Sequence, residues 1–289
     1  MSAKFHFWAF GFLLACFSIH ASPVKIACVG DSITEGAGLS RPAVESYPAR
    51  LQQLLGTNYI VRNYGVSGRT LLKKGDYPYW KEAYYTQSHN WYPDIVIIQL
   101  GTNDSKPYNW RYSTNFVSDY EQLVASYTSL TNTLRVIVCT PCPVYGAGAY
   151  DIKPGTVATN IAPEVRDLAA RLGLGLIDLH TRLAGHSELF PDTVHPNSKG
   201  MSAMAAVMYS SLLPGNPPLS VALARSSTNR VVLTLSPEQG GMVIQSATAF
   251  GATKTSWSIV EQNIYNDGEA LRQTNTVSGV ARFYRLWQP

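Results

Sequence analysis

The sequence is poor in the residues that mark redox, metal and nucleic-acid proteins. Four cysteines occur in 289 residues, at positions 16, 28, 139 and 142. Cys139-Thr140-Pro141-Cys142 has C-x-x-C spacing, but no second pair answers it, which excludes a zinc site built from two such pairs. A redox dithiol wants its first cysteine opening a helix. Here an apolar strand pattern runs into Cys139 and Pro143 follows, leaving a local disulfide or two plain thiols. Asp178 and His180 would need a third metal ligand that the sequence does not supply, so neither a metal nor a cofactor is expected. Basic runs are also missing. The formal charge of +4 comes from 23 basic and 19 acidic residues, dispersed along the chain, which argues against a nucleic-acid partner. No G-x-G-x-x-G or P-loop is present to bind a nucleotide.

Long apolar runs are confined to the start. Residues 7–19 are apolar, Lys4 precedes them and Ala21 suits a cleavage site, the pattern of a signal peptide over 1–21. The run is shorter than the ~20 residues a spanning helix needs, and no second one follows. An exported protein without a membrane span is expected. Leu13-Leu14-Ala15-Cys16 loosely resembles a lipobox, so a lipid anchor at Cys16 is the lesser alternative.

The remainder alternates between two periodicities. Apolar runs at 24–29, 59–64, 94–100, 135–140 and 174–179 read as strands, the third nearly continuous in β-branched residues, as in a parallel strand covered on both faces. Helical spacing falls at 47–55, 115–130, 162–172 and 198–213. Strands alternating with helices predict an α/β fold, a three-layer sandwich on a five-stranded parallel sheet, over residues 22–213. Pro214-Gly215-Asn216-Pro217-Pro218 lies in a linker, 214–220. Residues 221–289 carry short alternating runs and neither His nor Cys, which predicts a small all-β module remote from the chemistry.

Right-handed crossovers place every strand's carboxyl end on one edge of such a sheet, where ligands bind. The chemistry-bearing residues fall after strands. Ser32, in Gly30-Asp31-Ser32-Ile33-Thr34-Glu35, follows the first. Gly68 follows the second and Asn103, in Gly101-Thr102-Asn103-Asp104, the third. Asp192-Thr193-Val194-His195 follows the fifth. A Ser supplies an attacking oxygen, a His takes its proton, and an Asp three residues away fixes the imidazole tautomer. Gly68, Asn103 and the Ser32 backbone N–H would complete an oxyanion hole. Taken singly, Ser32 could be a helix cap, Gly68 a turn and Asn103 an Asx turn. The ordered set reads as a serine esterase.

These four segments resemble the SGNH (GDSL-type) hydrolase family, over about residues 24–213. The resemblance implies a flavodoxin-like sandwich, no metal, and a Ser-His-Asp mechanism with Ser32, Gly68 and Asn103 at the oxyanion. The loop Gly65–Trp80, with Lys106-Pro107-Tyr108-Asn109-Trp110, is similar to bacterial sialate or polysaccharide O-acetylesterases. That finer likeness implies an acetylated carbohydrate as partner, with Trp80, Tyr108 and Trp110 placed either to stack on sugar rings or to pack under the loops. A lysophospholipase, thioesterase or arylesterase is the alternative within the family, and a non-catalytic carbohydrate-binding protein the alternative outside it. Acyl length, the alcohol and the oligomeric state are not legible in the sequence.

Overall fold

The computed structural model describes residues 22–213 with their side chains and, beyond them, only strand backbone between 221 and 287. The signal-peptide segment, Cys16 and the linker at 214–220 lie outside the described residues.

Five strands form one parallel sheet: β1 (Val24–Gly30), β2 (Tyr59–Gly65), β3 (Ile95–Gln99), β4 (Arg135–Cys139) and β5 (Gly175–Ile177). Their order is β2-β1-β3-β4-β5, that of flavodoxin-like doubly wound sheets. The main helices are α1 (Ser32–Glu35), α2 (Tyr47–Leu55), α3 (Ala83–Asn90), α4 (Phe116–Thr128), α5 (Ala162–Leu172) and α6 (Ser198–Leu212).

The period-two alternation of each strand assigns its side chains to two cores. Ile26, Cys28, Ile97 and Ile137 face α2 and α6. Ala27, Val29, Val96, Ile98 and Val138 face α4 and α5. Every residue of β3 is buried, which is why Ile95 to Ile98 are apolar without interruption, the buried Gln99 ending the strand. Helix α2 contributes Tyr47, Leu51, Leu54 and Leu55 from one stripe. Asn197 caps α6 by accepting the Gly200 N–H at 3.0 Å. Helix α3, between β2 and β3, is not anticipated by the sequence pattern. It buries only Ser88 and so lacks an apolar stripe.

Cys139 and Cys142 are separate buried thiols, as is Cys28. Burial pushes the Cys139 and Cys142 thiols far above their ordinary range, so both are inert.

Beyond 221, the strands Val221–Ser227, Arg230–Leu235, Leu271–Thr276 and Ile264–Asn266 pair antiparallel in one sheet. Val243–Ala247, Ser258–Ile259 and Phe283–Trp287 pair antiparallel in another.

Candidate active site

Strand β1 lies between β2 and β3, with Gly30 in register with Gly65 on one side and Gln99 on the other. The connections from β1 to β2 and from β3 to β4 leave towards opposite edges of the sheet here, and ligands of such folds bind at this point. Gly30 is obligatory: a Cβ would lie 2.0 Å from Thr34 Oγ1 and 2.6 Å from the Gln99 carbonyl oxygen. The chain therefore turns tightly from strand into α1, and Ser32 opens that helix. Asp31 caps it, its Oδ1 accepting the Ile33 N–H at 3.0 Å.

Asp192 and His195 stand in the loop between β5 and α6. Thr193 adopts φ +73, an uncommon left-handed conformation for a β-branched residue. That kink folds the Asp192 carboxylate back onto the segment after it. Its Oδ1 accepts the N–H groups of Val194 at 3.0 Å and His195 at 2.6 Å. Its Oδ2 lies 2.7 Å from His195 Nδ1. With the ring proton on Nδ1, Nε2 is left as acceptor for the Ser32 hydroxyl at 2.8 Å. Burial would raise the Asp192 carboxyl, but the bonds from His195 and Val194 hold it below its ordinary value. It is thus an ionised acceptor that fixes the ring's tautomer and orientation. Ser32, His195 and Asp192 are linked across 163 residues of sequence.

The other two candidates sit on loops tied to this centre. Gly68 has φ +79, and nothing lies within 4 Å of where its Cβ would be, so backbone conformation and not space requires glycine. The preceding residue, Ser67, donates its N–H to Glu35 Oε2 at 2.9 Å, and its hydroxyl bonds the same oxygen. Glu35 thereby anchors the Gly68 loop to α1. Asn103 is buried and donates one amide hydrogen to the Arg69 carbonyl at 3.1 Å. A primary amide has a second hydrogen to give. Asp104 accepts the N–H groups of Leu71 at 3.0 Å and Leu72 at 2.7 Å, clamping the Gly68 loop to the Asn103 turn.

Two carboxyl groups here are fully buried. Burial raises Asp31 to about 6, against the Ile33 N–H, the nearby Thr102 hydroxyl and the charge of His195. Thr102 lies beside Asp31 without completing a hydrogen bond, since Asp31 Oδ2 and Thr102 Oγ1 are both unpartnered. Burial raises Asp104 to about 7, the Leu72 and Leu71 N–H groups opposing and Asp31 adding to the effect. Asp31, Glu35 and Asp104 are positioning groups that the sequence reading passed over. The available signal was adjacency: Asp31 precedes Ser32, Glu35 ends the same segment and Asp104 follows Asn103.

The three aromatic candidates separate. Trp80 and Trp110 are half-buried and pack against the core beneath the loops, the packing role being one of the two open to them. Trp80 donates Nε1–H to the Leu71 carbonyl at 2.8 Å and carries Lys73 Nζ over its ring at 4.0 Å. Trp110 meets Phe116 edge-on at 5.5 Å. Large rings near loops are claimed by burial when an apolar neighbour lies below. Tyr108 stays exposed. His89 stacks on Tyr127 at 4.0 Å. Asp178 is bonded to Arg166, Thr140 and Thr181. No cluster of three His, Cys, Asp or Glu able to hold a metal occurs among the described residues.

A groove of about 530 Å³ adjoins His195 and Asp192, lined among others by Leu39, Ser40, Glu45, Asn197 and Ser198.

Known proteins resemble this chain in sequence and in fold. An acetylxylan esterase of Xylanibacter ruminicola is 35% identical over 207 residues, covering 65% of this chain and 43% of that protein. The chain thus matches less than half the length of this relative. A carbohydrate acetylesterase family member from Sinorhizobium meliloti superposes with a TM-score of 0.55 at 23% identity, over 65% of this chain and 97% of the other. The native aryl esterase of M. smegmatis gives a TM-score of 0.54 at 21% identity, over 65% and 98%. At such identities the two structures establish the shared fold. Residues 28–203, most of the chain, match the sequence model of one family, and the protein belongs to it: the GDSL-like lipase/acylhydrolase family.

Proposed function

We propose that this protein is an exported serine ester hydrolase that removes O-acetyl groups from carbohydrates through an acyl-Ser32 intermediate. The observation that carries the reading is the relay from Asp192 Oδ2 to His195 Nδ1 at 2.7 Å and from Nε2 to Ser32 Oγ at 2.8 Å.

Ser32 Oγ attacks the ester carbonyl carbon as its proton passes to His195 Nε2. The imidazolium is held by ionised Asp192. The carbonyl oxygen becomes an oxyanion, stabilised by the N–H groups of Ser32 and Gly68 and the Asn103 amide, each donor contributing about 3 kcal/mol in the transition state. Collapse of this intermediate breaks the bond to the alcohol oxygen, which takes the proton from His195 Nε2 and leaves. Water then attacks the acyl-Ser32 carbonyl, losing a proton to His195. A second collapse returns that proton to Ser32 Oγ and releases the carboxylic acid.

The acetylxylan esterase relative supports a sugar alcohol and an acetyl group. Export rests on the apolar run at 7–19, and the separate β module on the composition of 221–289.

The test is acetate release from acetylated xylan oligosaccharides beside p-nitrophenyl acetate and octanoate, with Ser32→Ala as control and EDTA in parallel. Acetyl-selective, EDTA-insensitive turnover that the Ser32→Ala variant lacks is expected. Preference for octanoate would move the reading to a lipid or thioester hydrolase. Activity surviving in Ser32→Ala would sink the mechanism. Secretion of the full chain, measured by cell fractionation, tests export.

A further inference from the structure

Single exposed aromatic rings are ordinary on protein surfaces. Three on loops that leave one sheet edge are less so. Tyr77, Tyr108 and Tyr150 are 59%, 43% and 61% exposed. They ride on the loops that leave the carboxyl ends of β2, β3 and β4, the edge that carries Ser32.

These loops are stitched together. Asn109 accepts the Asp76 N–H at 2.9 Å and donates its amide to Asp76 Oδ1 at 2.9 Å, joining the Tyr77 loop to the Tyr108 loop. Ser105 Oγ accepts the Lys153 N–H at 3.1 Å, joining the Tyr108 loop to the Tyr150 loop. The Tyr108 phenol is raised, first by partial burial and then by Asp76, Asp151 and Tyr77. Arg69, paired with Glu82 at 2.8 Å, sits over one face of Tyr77 at 5.5 Å and leaves the ring's remaining surface to solvent. Tyr150 donates its hydroxyl to Asp192 Oδ2 at 3.3 Å and meets the His195 ring edge-on at 5.4 Å. Tyr150 and Asp151 have φ of +55 and +63, consecutive left-handed residues without glycine. Backbone strain of this kind persists where surrounding structure enforces it, and it concentrates at ligand clamps.

We propose that Tyr77, Tyr108 and Tyr150 form the platform that binds the glycan, stacking on the C–H faces of neutral pyranose rings and delivering an ester to Ser32. Tyrosine suits this: the ring's electron-rich face accepts polarised C–H bonds and its hydroxyl bonds sugar hydroxyls. Its few rotatable bonds limit the entropy lost on binding. Asp76 and Asp151 supply further acceptors, and their charges disfavour an anionic sugar. The nearby Arg69 guanidinium is already engaged by Glu82. Tyr150, against His195, is the ring nearest the bond that breaks.

This inference rests on the carbohydrate esterase reading but fails separately from it. Binding is measured by calorimetry on the full-length Ser32→Ala protein with xylohexaose, alone and combined with Tyr77→Ala, Tyr108→Ala or their Phe counterparts. Turnover is measured as the ratio of kcat/KM for acetylated xylo-oligosaccharide to that for p-nitrophenyl acetate. Each Ala change is expected to lower that ratio by about tenfold, the loss of one stacked ring, through KM, with Phe restoring most of it. Unchanged binding and ratio in folded Ala variants would overturn the platform. So would tighter binding of an acidic glucuronoxylan fragment than of xylohexaose. Tyrosine-dependent binding without acetate release would leave the platform standing and refute the esterase specificity.

Discussion

Asp31→Asn isolates the cost of a buried charge placed one residue from the nucleophile. The side chain is fully buried, and its carboxyl is raised by burial from 3.8 to about 6. Two pKa units correspond to about 3 kcal/mol. The sign follows from proton binding. Between about pH 4 and pH 6 the unfolded chain has released this proton while the folded protein keeps it, so stability falls as pH rises. Above about pH 7 both states are ionised and the full cost, roughly 3 kcal/mol, is present; below pH 4 it vanishes. Asparagine preserves the shape. Its carbonyl oxygen can still accept the Ile33 N–H, and its amide can donate where Oδ2 now has no partner, beside the unpartnered Thr102 Oγ1. Removing the charge also eases ionisation of Asp104, which Asp31 opposes.

The expected result is a variant more stable than wild type at pH 8, with the gain at pH 5 about half as large. Urea denaturation at pH 5, 6, 7 and 8 measures this, and the growth of the difference with pH is the diagnostic quantity. A constant difference, or one that shrinks towards pH 8, would refute the assignment of a buried, ionising Asp31. The same substitution should slow catalysis, because the Asp31 charge favours the imidazolium that His195 becomes. Gain in stability with loss of turnover is the exchange expected of a charge kept for function.

Asn103→Ala removes the proposed side-chain donor to the oxyanion and should lower kcat by ~10²–10³ with little change in KM, by steady-state kinetics on p-nitrophenyl acetate. Glu35→Ala frees Ser67 from α1 and should lower kcat while leaving secondary structure intact by circular dichroism; unaltered kcat would mean that Asp104 alone positions the Gly68 loop. The Asp178 carboxyl is lowered to about 2, its burial outweighed by the Arg166 guanidinium and by Thr181 and Thr140. Its stabilisation is present above about pH 4 and lost as pH falls towards 2. Arg166→Ala should therefore move the acid-unfolding midpoint, followed by tryptophan fluorescence, to higher pH.

The fold was legible where one signal was enough. Ile95 to Ile98 is an unbroken, β-branched apolar run, as a central strand covered on both faces requires. Tyr47, Leu51, Leu54 and Leu55 mark α2 by spacing alone. Helix α3 escaped because Ala83–Asn90 has no stripe to read. Ser32, His195 and Asp192 were recognisable because each lies in a connection that leaves a strand's carboxyl end, and topology carries all those ends to one edge. Glu35 and Asp104 were not, because a carboxylate's role depends on which backbone arrives opposite it, from 32 and 33 residues away.

The aromatic residues show the same limit most sharply. Composition places many rings around the site, but only packing decides which are core and which are surface. Trp80 and Trp110 lie in the loops after β2 and β3, and both pack half-buried against the α4 side of the sheet. Tyr150 sits in Gly146-Ala147-Gly148-Ala149-Tyr150-Asp151, a stretch whose glycines suggest only a flexible loop. What makes it a rim residue is a left-handed backbone and a bond to Asp192, neither of which local sequence encodes. The nucleophilic centre was therefore readable from four short segments, because reaction chemistry fixes their residue types. The specificity surface was not, because many side chains can present a flat apolar face and the fold chooses among them. Substitutions at Ser32 or His195 thus test the proposed reaction, whereas those at Tyr77, Tyr108 and Tyr150 test the proposed recognition of its substrate.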